Sequence, residues 1–230
     1  MVRDPLTVCF GLGFPIVLLL LLSALQSNIP VDLFAIDRLT PGILVFGFSF
    51  MTLFSATLIS KDRGSSLLQR LYTTPLTSVD FIFGYTLPLI PLAVAQSIVC
   101  FIFAVILGLD ITVNILLSVV LALPVSVLYI ALGLLFGSIL TDKQVGGICG
   151  ALLTNLSAWL SGTWFDLELV GGVFKDIAYM LPFVHAVEIE RAVLSGDLSG
   201  IFPHIWWVLG YSVAVLAAAV ALFLRQMKKQ

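Results

Sequence analysis

Apolar and polar positions in this chain fall into long blocks, with little of the period-two alternation of half-buried strands. The first block runs from Leu6 to Leu25, is broken by small residues and Pro15, and contains Val17-Leu18-Leu19-Leu20-Leu21-Leu22. A secretory signal would also put Arg3 ahead of an apolar run. This run is long for such a signal, and no small-x-small cleavage site follows Ser23-Ala24-Leu25-Gln26-Ser27, so a retained helix is expected. A polar loop with Asn28, Pro30, Asp32, Asp37 and Arg38 leads to a second block over 42–59. A third covers 81–107 with Pro88 and Pro91 inside it, and Gly108-Leu109-Asp110 separates it from a fourth over 113–140, which contains Pro124. After Thr141-Asp142-Lys143-Gln144 a fifth covers 145–160, and a sixth covers 204–224. These blocks approach the roughly 20 residues that a helix needs to cross a bilayer. Residues 161–203 do not: Asp166-Leu167-Glu168, Gly171-Gly172 and Lys175-Asp176 interrupt them. The pattern predicts an all-α, polytopic membrane protein, a single domain over 1–230 with six transmembrane helices.

Composition narrows the class. Sixty per cent of the residues are hydrophobic and 10% charged, with a mean hydropathy of +1.15. That is too little charge to cover a soluble surface, so a soluble enzyme, a nucleic-acid binder and a disordered regulator are all excluded. Six spans also leave no room for a separate catalytic domain. Arg3, Lys61, Arg63, Arg70, Lys143, Arg225, Lys228 and Lys229 fall on the side of the termini, against Arg38, Lys175 and Arg191 on the other. By the positive-inside rule both termini, the 61–78 loop and the 141–144 turn are cytoplasmic, in the cell membrane. Trp159, Trp164, Trp206 and Trp207 then lie near the outer boundary, where an aromatic belt belongs.

Candidate chemistry is sparse. There is no G-x-x-x-x-G-K-[ST] phosphate loop and no G-x-S-x-G elbow. His185 and His204 are far apart in sequence without an HExxH context, and His204 stands alone, so no metal site is expected. Cys9, Cys100 and Cys149 lie in apolar spans and read as small buried hydrophobes, forming neither a disulfide nor a metal site. The span centres carry essentially no ionisable residue, which points to an energy source outside this chain. The prolines of spans three and four act as packing kinks or as hinges. Gly133 and Gly137, with Gly146, Gly147 and Gly150, permit close helix contacts, either within the chain or between subunits.

Residues 60–78 are too polar for lipid. Projected on a helix, Leu67, Leu68, Leu71 and Tyr72 form an apolar arc bordered by Arg63 and Arg70, ended by Thr73-Thr74-Pro75. Two readings fit: a helix lying on the lipid interface, or one docked in the groove of a cytoplasmic partner. The stretch Lys61-Asp62-Arg63-Gly64 through Arg70-Leu71-Tyr72-Thr73-Thr74-Pro75 resembles the charged, glycine, then R-L-x-x-[TS]-P segment of type-2 ABC exporter permeases. Leu181-Pro182-Phe183-Val184-His185-Ala186, followed by Arg191, is similar to the L-P-x-x-x-A stretch before the last span of that family. Arg3-Asp4-Pro5 before Phe14-Pro15 resembles its usual start. Family members usually carry an amphipathic segment ahead of this start. Here Met1 and Val2 alone precede Arg3, so either a start further upstream or a permease without that element is expected.

The resemblance implies a membrane subunit of an ATP-driven exporter. Lys61, Asp62, Arg63, Gly64, Leu67, Leu68, Arg70, Leu71, Tyr72 and Pro75 would then form a coupling helix to a separate ABC ATPase, which holds the ATP and Mg; this chain carries no cofactor and is no enzyme. A second copy or paralogue would complete a pathway built mainly from spans one, two and five. Residues 161–203 would be re-entrant helices in the outer leaflet, a static plug or a moving gate, with Leu181, Pro182, His185, Glu188 and Arg191 as gate residues and Arg191 paired with Glu188 or Asp197. The apolar walls suit a hydrophobic drug, antibiotic, lipid-like molecule or peptide. The alternatives are a haem-exporter-type permease, a membrane-embedded enzyme and a non-transporting scaffold.

Overall fold

The structure is a computed structural model that describes residues 9–29, 34–64 and 78–227. Leu67, Leu68, Arg70, Leu71, Tyr72 and Pro75 of the coupling segment, and the Arg3-Asp4-Pro5 start, lie outside the described residues.

Every regular element among the described residues is helical. A π-helical turn, Cys9–Gly13, leads into α1 (Phe14–Gln26). Then come α2 (Ile36–Gly64), α3 (Ser78–Thr86), α4 (Ile90–Ile106) and α5 (Val113–Ile139). A continuous helical rod follows, made of α6 (Asp142–Val145), a π-helical stretch Gly146–Leu153 and α7 (Thr154–Leu160). The short helices α8 (Leu167–Val170), α9 (Gly172–Met180) and α10 (Pro182–Ser195) precede α11 (Leu198–Met227). Four helices are long and apolar enough to cross a membrane, Ile36–Arg63, Ile82–Ile106, Val113–Ile139 and Leu198–Arg225, while Gly11–Gln26 is shorter. This is a multi-pass membrane protein.

Helix α2 is the axis of the bundle. Every residue from Leu39 to Thr52 is buried, because α1, α4, α5, α7 and α10 surround it. Lipid offers no hydrophobic drive for helix association, so close backbone approach and interhelical hydrogen bonds must supply it. Gly133 and Gly137 provide the approach: a Cβ on Gly133 would meet the Thr52 carbonyl oxygen at 2.6 Å, and one on Gly137 the Ala56 carbonyl oxygen at 2.8 Å. The G-x-x-x-G pair therefore serves a contact inside the chain. Next to it Thr52 Oγ1 donates to the Tyr129 carbonyl at 2.7 Å and Ser55 Oγ to that of Ile130 at 3.3 Å. Tyr129 Oη and Ser157 Oγ, 2.7 Å apart, extend the network to α7. Phe14, Phe46, Phe50 and Trp164 fill one side, with Phe14 edge-on to Phe50 at 5.6 Å and Phe46 edge-on to Trp164 at 5.5 Å.

Contacts give the direction of each helix. Gly11 lies beside Phe54, while the Phe34 N–H donates to Gln26 Oε1, so α1 is antiparallel to α2. Helix α2 begins near Thr163 and ends at Leu140; α5 begins near Leu194 and ends at Arg63, so the two run together. Helix α3 starts the return at Asp62, and the α6–α7 rod returns from Ala56 to Ser157. Helix α11 descends from His185 to Ile59 and Leu134. The six helical stretches thus alternate in direction between an Arg63 end and an Arg191 end.

Several boundaries differ from the sequence expectations. The second block is not 42–59 but a helix through Ile36–Gly64, so Lys61, Asp62, Arg63 and Gly64 are its last turn and not the start of a separate helix. The third block breaks at 87–89, because Pro88 lacks the N–H needed to continue; Pro91 sits harmlessly in the first turn of α4. Pro124, by contrast, lies inside an unbroken α5. The sixth helix starts at Leu198 and runs through Pro203, which did not mark its boundary.

Candidate functional site

At the Arg63 end the helices on either side of residues 65–77 are fastened down. A helix C-terminus leaves carbonyls without partners and carries partial negative charge. The Arg63 guanidinium meets the end of α5, donating to the Ser138 carbonyl and, at 2.6 Å, to that of Leu140. Tyr85 Oη donates to Asp62 Oδ2 at 2.9 Å and ties α3 to the same turn. Thr141 and Gln144 form a capping box that starts α6, with the Thr141 N–H donating to Gln144 Oε1 at 3.0 Å. Lys61 is exposed. Asp62 and Arg63 are thus brought together as joints between α2, α3 and α5.

At the Arg191 end, α10 is the organising element. Pro182 in its first turn needs no N–H partner, and Leu181 is its extended N-terminal flank. Gly196, at φ +80°, ends it in a left-handed turn that a side chain would strain. Nine of its residues are buried, so it is part of the bundle core and not a surface flap. Arg191 forks: Nη1 donates to Glu188 Oε1 at 2.8 Å and Nη2 to the Gly162 carbonyl at 2.9 Å, binding α10 to the turn after α7. Glu188 is thereby the carboxylate that Arg191 pairs with; Asp197 instead accepts from Ser199 Oγ at 2.5 Å. Replacing Arg191 by lysine should cost roughly 1–3 kcal/mol, since a single ammonium cannot reproduce the planar fork. A thermal melt of the purified chain checks this, and an unchanged midpoint would remove the fork from the account.

His185 and His204, expected to be unrelated, are neighbours. Their Nδ1 atoms are 2.8 Å apart, and His185 Nε2 lies 3.0 Å from the Tyr179 carbonyl. The His185 ring stacks on Trp207 at 4.9 Å between centroids. Nineteen residues and two helices separate the histidines, and only the fold of α10 back against α11 joins them. Both nitrogens of His185 are engaged, so in this arrangement it has no lone pair to offer a haem iron. Burial holds its pKa below the usual imidazole range. Glu190, which was not among the expected site residues, is a core residue. It is completely buried, accepts from Ser118 Oγ, and its Oε1 has no partner among the described residues. Burial pushes its pKa up to about 8. Its spacing from Val187 and Val193 placed it on the buried face of α10, a signal legible in hindsight.

Between these elements lies a cavity of about 860 Å³, lined by Arg38, Trp164, Glu188, Arg191 and His204 among others. No group of three or more His, Cys, Asp or Glu side chains that could hold a metal occurs among the described residues. The bundle thus combines a fastened Arg63 end with a polar cavity at the Arg191 end. No curated protein and no solved structure gives a match to this chain. The model of the ABC-2 type transporter membrane family matches residues 1–194, and the chain belongs to that family of transmembrane transport permeases.

Proposed function

We propose that this chain is the pathway subunit of an ATP-driven exporter, working with a separate ABC ATPase and a second permease chain. Family membership supports the ATPase partnership, since ABC-2 permeases normally work with such a subunit. The observation that carries the coupling reading is the joint at the Arg63 end. Residues 65–77 lie between α2, which Arg63 locks to the end of α5, and α3, which the Asp62–Tyr85 bond locks to α2. A displacement of that segment by an ATPase would therefore pass to α2, α3 and α5 together.

The positive-inside rule puts the Arg63 end in the cytoplasm and the Arg191 end outside. The alternating directions of the six helical stretches support six crossings, counting α1, α2, α3 with α4, α5, the α6–α7 rod and α11. Helices α8 to α10 would then sit in the outer leaflet, where the cavity provides an exit. Of spans one, two and five, which the resemblance implies for the pathway, α2 is enclosed within its own chain, while α1 and the rod carry exposed Val17, Leu21, Leu152 and Leu156 that a second copy would cover. The substrate class that suits such walls is hydrophobic or amphipathic.

The test uses the coupling segment without its structural joint. Arg70→Glu with Leu71→Asp should abolish co-purification with the ATPase, or reduce transport-stimulated ATP hydrolysis at least about tenfold, a loss of about 1.4 kcal/mol of interaction. Membrane insertion should be unchanged. Normal assembly and stimulation in this variant would overturn the assignment. Arg63 is left intact, because its loss would also free the end of α5.

A further inference from the structure

We propose that His185 and His204 form a latch that tolerates one added proton and opens on the second, releasing the corner between α9 and α10 from α11. The proposal does not depend on the transport reading.

The hydrogen bonds dictate where protons sit. A carbonyl can only accept, so the bond to Tyr179 requires an N–H at His185 Nε2. In the neutral ring Nδ1 of His185 is then a bare acceptor, and the 2.8 Å approach of the two Nδ1 atoms needs the His204 Nδ1–H as donor. His204 Nε2 is left as the lone pair of the pair, without a hydrogen-bond partner among the described residues, on the wall of the cavity. A first proton on that nitrogen makes His204 a cation that still donates to His185, and a charge-assisted bond is the stronger one. A second proton has one place to go, His185 Nδ1. It would set two N–H groups head to head and two positive charges within one contact, so the bond must break.

The surroundings reinforce this order. From α10, Glu188 faces both rings and favours the charged form of His185, though it is already engaged by Arg191. From α9, Tyr179 lies edge-on to His185 with Lys175 5.8 Å above its ring. From α11, Trp207 and Tyr211 offer aromatic faces. Asp37, Arg38, Asp166, Glu168 and Asp197 line the shared cavity. Burial and the neighbouring imidazole both disfavour a charge on His185, and the Tyr179 carbonyl and Glu188 oppose them. A group held below its ordinary value binds its proton better once released. The closed form is therefore complete above the ordinary imidazole value of about 6.5 and loses ground as pH falls below it. What the latch holds is the corner of α9 and α10, which is also tied to α11 by Tyr211 Oη donating to the Met180 carbonyl at 2.6 Å and by the Trp207 ring stacked on His185.

The experiment uses the full chain in lipid nanodiscs with ¹⁵N-labelled histidine. At pH 7.5 a through-bond coupling between the two Nδ1 nuclei is expected, with the proton on Nε2 of His185 and on Nδ1 of His204. It should persist through a first titration step and vanish in a second, more than about one pH unit lower. In that second step amide protection across Gly172–His185, corrected for intrinsic exchange, should fall about tenfold for each pH unit. His204→Gln offers His185 either a donor or an acceptor by turning its amide, so it should remove the acid loss of protection. Absence of the coupling at every pH, or two independent titrations at the ordinary value, would overturn the latch. So would loss of protection in His204→Gln equal to that of the parent chain. The coupling is read in the parent chain, so the proposal stays testable even if the variant does not fold.

Discussion

Leucine at Gly137 will prevent α2 and α5 from meeting, and folded permease will be largely lost. A Cβ there would lie 2.8 Å from the Ala56 carbonyl oxygen and 2.9 Å from its Cα, and backbone atoms cannot turn aside as a side-chain tip can. Four heavy atoms of side chain must then be fitted into a contact that already excludes one. Overpacking of this kind costs roughly 1–3 kcal/mol where the neighbours can move, and more where they cannot. At Gly133 the same replacement would also separate Thr52 from the Tyr129 carbonyl, leaving two polar groups unpaired in an apolar interior. Alanine at Gly146 or Gly147, where nothing lies within 4 Å, serves as the control and should be neutral. Yield of monodisperse protein after detergent extraction, with a thermal melt of what remains, reads the difference. Full yield of the Gly137→Leu chain would mean that α2 and α5 are not packed as described.

The second large effect concerns pH. Glu190 is enclosed by α5 and α10, and its pKa is raised to about 8 from the ordinary 4.5 by burial. The folded chain therefore keeps a proton that the unfolded chain releases. Stability from this source is full below about 4.5 and is lost progressively as pH rises through about 8. Glutamine, neutral at every pH and of the same shape, should flatten that part of the profile and be the more stable chain at alkaline pH. Alanine should be worse than glutamine at all pH values, by roughly 2–3 kcal/mol, because it leaves a void and an orphaned Ser118 hydroxyl. Melting temperatures of the three chains from pH 5 to 9 decide it. A Glu190→Gln profile parallel to that of the parent would remove the buried proton from the account.

Block hydropathy carried most of the architecture, because lipid demands long apolar runs and punishes charge within them. It found the helical stretches and the interrupted 161–203 segment. It misplaced ends wherever local chemistry outweighed hydropathy. Lys61 to Gly64 are too polar to count as span, yet they continue α2 because Arg63 and Asp62 find partners on α5 and α3. Pro203 looked like a boundary, but a proline removes a single backbone bond, a loss that helices in membrane bundles tolerate, and the helix runs through it. The site was less legible for a different reason. Arg191 with Glu188 is a local pair, three residues apart, and could be foreseen. His185 with His204, and Glu190 with Ser118, join helices that meet only in the folded chain, 19 and 72 residues apart. No spacing rule reaches across such distances. The G-x-x-x-G pair shows the same limit: its spacing announces a close contact but does not name the helix that fills it.

The enclosure of α2 also bears on how the protein is made. Its hydroxyl-bearing positions find their acceptors on a helix that lies far downstream, with Thr52 and Tyr129 separated by 77 residues. At the roughly 5–20 residues per second of synthesis, α2 must wait several seconds in the bilayer with its central groups uncovered. During that interval a translocation channel or an insertion chaperone is the natural shelter. The permease's most protected helix is, for a moment of its biosynthesis, its most vulnerable one.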